Sequence, residues 1–280
     1  MRVPLLAINQ LTTFRWSFEM DARRLAEAGI PGVHVWRQKL VDYGVEKGAH
    51  LLEEYGLKPV ALSWAGGFTG SDGRTFADAL SDGKLAIEQA AELQAPIVVV
   101  HSGSRGGHTV NHARRLFLSA LGELLPLAEE HDIQLAVEPM HPAAGAEWTF
   151  LQSLADAIEL TKKLESDHLK IVADVYQLFG EKNLIEQLKQ ATPYLALVQL
   201  ADADEAPMGE PDRRPLGSGK LPLREIVTAL QSAGYEGAFD VELMGLEIEN
   251  TDYDQLISQT RGYFNDIVGA TTTPQSQPLK

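Results

Sequence analysis

The 280-residue chain contains no cysteine. That excludes disulfides, zinc–thiolate sites and a thiol nucleophile, without identifying a compartment. Cationic residues are also scarce: 24 Lys and Arg face 39 Asp and Glu, for a formal net charge of -15. Phosphate backbones are bound by cations that displace counterions, so no nucleic-acid partner is expected. No apolar run approaches the roughly 18 residues that span a bilayer. The start MRVPLLAINQ lacks the basic region, long apolar region and small-residue cleavage site of a secretory leader. A cytoplasmic protein with no membrane partner is the expectation. Glycine is missing from INQLTTFRW, the first strand-to-helix connection, so no dinucleotide fingerprint follows the first strand. The later glycine clusters, SWAGGFTGSDG and HSGSRGGHTV, lack fingerprint spacing and read as loops.

What is present is an alternation of short β-rich runs with longer amphipathic stretches, repeated eight times. The runs are VPLLAIN from Val3, GVHVW from Gly32, PVALSW from Pro59, PIVVVHS from Pro96, IQLAVEP from Ile133, KIVADV from Lys170, LALVQLA from Leu195 and AFDVELM from Ala238. Most are nearly continuous in apolar residues, as parallel strands covered on both faces must be. Helical spacing predicts helices over Phe76 to Leu93, Ala113 to His131, Leu151 to Leu164, Leu184 to Gln190 and Leu223 to Ala233, with Ser153 and Asp156 on a polar face. Glycine in AEAGI, EEYGL and QSAGY marks helix C-termini. Eight βα units favour an α/β fold with a single (β/α)8 TIM barrel over an open doubly wound sheet. The expected domain is residues 1–268, followed by a polar C-terminal tail, 269–280.

Four acceptors, Glu138 in LAVEPMHP, Asp174 in KIVADVYQ, Gln199 in LALVQLAD and Glu242 in FDVELMG, stand at or just past strand C-termini. In a parallel barrel those ends share one rim, so the four are expected to converge and point inward. Three ionised carboxylates in one partly buried site require a compensating cation. Oxygen donors with an amide suit Mg²⁺ or Mn²⁺; alternatively, the carboxylates pair with Arg37, Arg105 or Arg213, and the residues alone leave both open. Around this rim, His101 ends the fourth strand, His141 follows Glu138 by three residues, Trp36 and Arg37 end the second strand and Trp64 the third. These side chains are candidates for contacts to a small polyol. His108 and His112 read as a solvated helix start, and Asp202 as either a partner that orients a ligand or a rim charge.

From AVEPMHP, ADVYQ, VQLAD followed by DRRPLGSGKLPL, and GYEGAFDVELMG, in that order and spacing, the chain resembles the sugar phosphate isomerase/epimerase group of xylose isomerase-like TIM barrels, from the first strand to about Phe264. That superfamily also holds tagatose and psicose epimerases, hydroxypyruvate isomerase, inosose dehydratase and endonuclease IV. The resemblance implies that Glu138, Asp174, Gln199 and Glu242 bind a divalent metal and that Arg213 contacts substrate oxygens. It implies a second role for Glu138 and Glu242, as the acid–base pair of an isomerase or epimerase working through a metal-stabilised enediolate on a sugar or polyol. Alternatives on the same scaffold are a lyase of the inosose dehydratase type and a non-catalytic sugar-binding barrel. Two positions depart from the family pattern, which commonly has His where Gln199 and Gln177 stand. An amide oxygen can ligate Mg²⁺ or Mn²⁺, and Gln177 can position a hydroxyl, but neither can shuttle a proton. Barrels of this group often associate, which allows a homo-oligomer.

Overall fold

A computed structural model describes residues 4–209 and 211–269. Eight parallel strands close into a barrel in sequence order: β1 (Leu6–Asn9), β2 (Gly32–Trp36), β3 (Lys58–Gly66), β4 (Ile97–His101), β5 (Gln134–Val137), β6 (Leu169–Asp174), β7 (Leu195–Leu200) and β8 (Ala238–Val241). Val3, where the first strand was expected to begin, lies outside the described residues, as do residues 270–280 of the expected tail. Gly269 closes the last helix, Tyr253–Gly269.

Helix starts follow local chemistry. Thr75 and Asp78 form a capping box ahead of Phe76–Leu93, each side chain accepting the other's backbone N–H at 3.1 Å. Ser153 was expected on a polar helix face; its Oγ instead accepts from Asp156 N at 3.1 Å and starts the helix Leu154–Leu164 three residues later than the apolar spacing suggests. Thr109 likewise caps Val110–Glu130 through His112 N. Helices expected to stop at AEAGI, EEYGL and QSAGY do so, with Gly29, Gly56 and Gly234 at φ 66°, 67° and 90°.

Strand periodicity positions the site. Ala7, Ala61, Val99, Ala136, Val172 and Leu197 fill the barrel interior as one apolar layer. Side chains two residues further along each strand point the same way. They are Asn9, Ser63, His101, Glu138, Asp174 and Gln199, joined by His34 from β2 and Asp240 from β8, and all are buried. Register confirms the shared level, with Asn9 opposite His34, Asp174 opposite Gln199 and Gln199 opposite Asp240. A polar layer thus caps an apolar plug at the C-terminal end of the barrel, and Glu242 lies one step above it.

Candidate active site

Two of the four strand-end acceptors, Asp174 and Glu242, meet around one guanidinium. Arg213 Nη1 lies 2.8 Å from Asp174 Oδ2 and its Nη2 2.9 Å from Glu242 Oε1. Nη1, which carries two N–H groups, also donates to Glu242 O at 3.3 Å, and Arg213 Nε has no hydrogen-bond partner. The guanidinium thus spreads its two ends over separate carboxylates rather than gripping one as a bidentate fork. Gln199 Nε2 donates to Glu242 Oε2 at 2.7 Å and to Asp240 Oδ2 at 3.2 Å. Asn9 Nδ2 donates to the same Glu242 oxygen at 2.8 Å. Two amides thus fix Glu242 Oε2, while Gln199 Oε1 is buried without a partner. Glu138, the fourth acceptor, has Oε2 2.9 Å from His101 Nε2.

Burial raises two carboxyls of this cluster, Asp174 and Glu242. It pushes Asp174 up to about 6, with Arg213 opposing and the Glu138 charge adding to the rise. Glu242 is pushed up to about 7 by burial, again against Arg213 and with Glu138, Asp174 and Asp240 adding. Burial works against the Arg213 charge, but Asp174 and Glu242 hold its proton more tightly than usual. These shifts place a carboxyl where it exchanges protons near neutrality.

Arg213 owes its position to a loop that Asp202 organises. Asp202 and Arg214 exchange backbone hydrogen bonds at 2.7 and 3.0 Å. The Asp202 carboxylate accepts from Gly217 N and Leu221 N, both at 3.0 Å, which folds PLGSGKL back onto the end of β7. A side chain at Gly219 would collide with Asp202 and Ala203 O, so the loop needs glycine there. Arg213 N bonds to Met244 O at 3.0 Å, and its guanidinium lies 4.7 Å from the centre of the Tyr176 ring. Asp202 is therefore the organiser of the arginine loop, not a free rim charge.

Sequence reasoning passed over His34, Ser63, Asp240 and Asn9. His34 Nδ1 lies 2.6 Å from Asp240 Oδ2 and its Nε2 2.6 Å from Ser63 Oγ. Burial pulls the His34 imidazole down, yet Asp240 outweighs it and holds the ring above its ordinary pKa. The available signal was a polar residue interrupting an apolar strand at the inward register, as in GVHVW, LAIN and AFDV.

A cavity of about 140 Å³ opens above the cluster, lined by Ser63, Trp64, His101, Glu138, Met140, Trp148, Tyr176, Gln177, Arg213 and Glu242. Asp174 and Gln199 lie beneath it. Trp64 and Trp148 meet edge to face at 5.1 Å, and His101 is 5.8 Å from Trp64, which gives one aromatic wall over a charged floor. Trp36 and Arg37 border a neighbouring cleft instead, sharing only Ser63 and Trp64 with the cavity, and Arg37 pairs with Asp82 at 2.7 Å. His141 is also outside the lining: its Nδ1 accepts from Ala143 N at 3.2 Å, and its own N–H donates to Gln177 Oε1 at 3.0 Å. The rings of His108 and His112 lie 4.7 Å apart, tilted by 45°, at a helix start, with His108 bonded to Thr69 O. A larger cavity of about 730 Å³ lies at the opposite end of the barrel, among Leu5, Lys58, Pro96 and Ala238. It holds none of the buried polar layer.

Whether the rim suits a divalent ion depends on its donors. Glu138, Asp174, Glu242 and the unpartnered Gln199 Oε1 form an oxygen-only set of the kind that hard cations prefer. As they stand, no three His, Asp or Glu side chains among the described residues are grouped to hold an ion. The donor chemistry fits, and the arrangement is closed on Arg213. No helix among the described residues is long and apolar enough to cross a membrane.

Comparison with known proteins agrees with this architecture. The chain is 23% identical over 235 residues to the inosose isomerase of Halalkalibacterium halodurans, covering 82% of each. It is 31% identical over 123 residues to the D-psicose 3-epimerase of Enterocloster bolteae, covering 44% of this chain and 37% of that one. The solved structure of the IolI protein with a bound zinc atom superposes with a TM-score of 0.82 at 21% identity, covering 96% of this chain and 99% of the other. Residues 22–262 match the model of one family along most of the barrel, and the chain belongs to it: the xylose isomerase-like TIM barrels.

Proposed function

We propose that the chain is a divalent-metal-dependent sugar or polyol isomerase or epimerase that abstracts a proton beside a carbonyl. One observation carries this reading: Glu138 and Glu242, immediately after strands β5 and β8, face the same small cavity. The sugar isomerase and epimerase names of its relatives support the same substrate class. A divalent ion would be held by Glu138, Asp174, Glu242 and Gln199 Oε1; bound there, it would polarise the substrate carbonyl and stabilise the charge left when the proton departs.

The chain's own residues supply the rest. His101 orients Glu138 through its 2.9 Å contact. Asn9 and Gln199 hold Glu242 Oε2, and Arg213 stands at its other oxygen. One carboxylate takes the proton from carbon, and the other returns one to the opposite face, giving an epimer. Return to the adjacent carbon, with the hydroxyl proton moving between the two oxygens, gives aldose–ketose isomerisation. Trp64 and Trp148 cover the apolar face of the sugar ring and exclude water, while Arg213 and Gln177 meet its oxygens.

The test is solvent exchange. With Mg²⁺ in D2O, the wild-type protein should introduce deuterium beside the carbonyl of at least one member of a panel of ketoses and inososes, read by mass spectrometry. Glu242→Gln should slow that exchange about 10²- to 10⁴-fold while the protein still folds. Exchange that is absent across the panel, or undiminished in the variant, refutes the reading.

A further inference from the structure

We infer that Arg213 is the resident counter-cation of the rim: the guanidinium and a divalent ion are alternative partners of Asp174 and Glu242, and ion binding turns Arg213 up into the cavity. The inference rests on the metal-dependent reading above and concerns how that same site is loaded.

Four acidic groups, Glu138, Asp174, Asp240 and Glu242, are buried in or on the polar layer, and Arg213 is the cation that spans two of them. A buried carboxylate cluster without such a partner would stay protonated or repel itself apart. The quality of the pairing matters as much as its presence. An arginine placed for permanent carboxylate recognition makes two parallel, directed N–H bonds. Here the two Nη ends go to different carboxylates, one contact each, and Arg213 Nε has no hydrogen-bond partner. A carboxylate held by one end of a divided guanidinium can be taken over by another cation.

The surroundings are built for such an exchange. Glu242 Oε2 is fixed by Asn9 and Gln199 independently of Arg213, so the carboxylate stays in place when the guanidinium turns. Gln199 Oε1 is a buried acceptor with no partner, an atom that only an incoming donor or cation would satisfy. The Arg213 backbone is anchored to Met244 O and its loop to Asp202, which leaves the side chain as the moving part. The cavity it lines receives the turned guanidinium, where it meets substrate oxygens. Ion binding and substrate binding are then coupled through one side chain, and by linkage each strengthens the other.

The measurement uses the full-length protein stripped with EDTA, Mn²⁺ as the probe, and the variants Arg213→Met and Arg213→Lys. Mn²⁺ affinity is read by electron paramagnetic resonance, and uptake rates by stopped-flow tryptophan fluorescence. If the ion-competent state is about one tenth populated in the wild type, Arg213→Met binds Mn²⁺ about tenfold tighter, since apparent affinity scales with that fraction. Arg213→Lys, whose single ammonium holds both carboxylates less well, falls between. Wild-type uptake reaches a plateau rate at high Mn²⁺, set by guanidinium release, whereas Arg213→Met uptake rises linearly. Without metal, Arg213→Met melts below the wild type, and Mn²⁺ closes most of the gap. A nearby charge that never competes would alter affinity but leave wild-type uptake linear, and that linearity overturns the inference. So does equal affinity in all three proteins. Failure of every variant to take up Mn²⁺ removes both this inference and the metal-dependent reading, whereas linear uptake at measurable affinity removes this one alone.

Discussion

Two buried charge clusters in this barrel are assembled to opposite ends. Beneath the first strand-to-helix connection, Lys39 Nζ lies 2.7 Å from Asp21 Oδ2 and donates to Thr13 O at 2.9 Å and Gln10 O at 3.2 Å. Thr13 Oγ1 donates to the other Asp21 oxygen at 2.6 Å, so one cation meets one anion and each carboxylate oxygen has a partner. At the rim, two carboxylates share one guanidinium, and Gln199 Oε1 and Asp240 Oδ1 go without hydrogen bonds. Burial alone does not mark function, because both clusters are buried and both have shifted titrations: burial pushes Asp21 up to about 6 and pulls Lys39 down. The distinction is satisfaction. A closed pair holds a loop in place; an over-anionic, under-satisfied cluster beside a cavity is prepared for something to arrive.

The largest effect expected from this contrast is at the closed pair. Lys39→Met leaves Asp21 buried and unpaired and should lower the unfolding free energy by about 3–5 kcal/mol, measured by urea denaturation. Pairing it with Asp21→Leu should recover most of that loss, because a closed ion pair can be exchanged for apolar packing. A double variant as unstable as the single one would mean that the pair has contacts beyond its own closure.

A smaller effect separates the rim by pH. Asp174 and Glu242 titrate higher folded than unfolded, so the metal-free native state binds more protons than the unfolded state between the ordinary carboxylate range and about pH 7. Stability is therefore fullest below that window and falls as pH rises through it. The metal-free protein should melt lower at pH 7.5 than at pH 5, and Glu242→Gln should flatten the slope. A melting temperature that rises over the interval would contradict the raised titrations.

The smallest effect locates the edge of the functional region. His141 caps its own turn through Ala143 N, so His141→Ala should cost about 0.5–1 kcal/mol of stability, read by thermal unfolding. Substrate KM should be unchanged. A raised KM with unaltered stability would restore His141 to the binding surface.

The barrel was legible because its signals are local: eight apolar runs, capping residues such as Thr75, and glycines after helices each act over a few residues. Glu138, Asp174, Gln199 and Glu242 were legible for a related reason, since strand ends in a parallel barrel share a rim whatever lies between them. His34 and Ser63 were not, because a single polar residue inside an apolar strand carries no sign of what will face it across the barrel. Gln199 shows the same limit. Its place was readable, but which atom it offers is decided by Asp240 and Glu242, which take its amide hydrogens and leave the oxygen over.

The sequence by itself determined the alternation that closes the barrel and the positions at which polar side chains enter its upper layer, because a strand's inward face repeats every second residue. Only the tertiary structure decided the pairing: Arg213 with Asp174 and Glu242, His34 with Asp240 and Ser63, His141 with its own turn. Those choices depend on distances set by all eight strands and by the Asp202 loop together, and charge acts through space without regard to order along the chain.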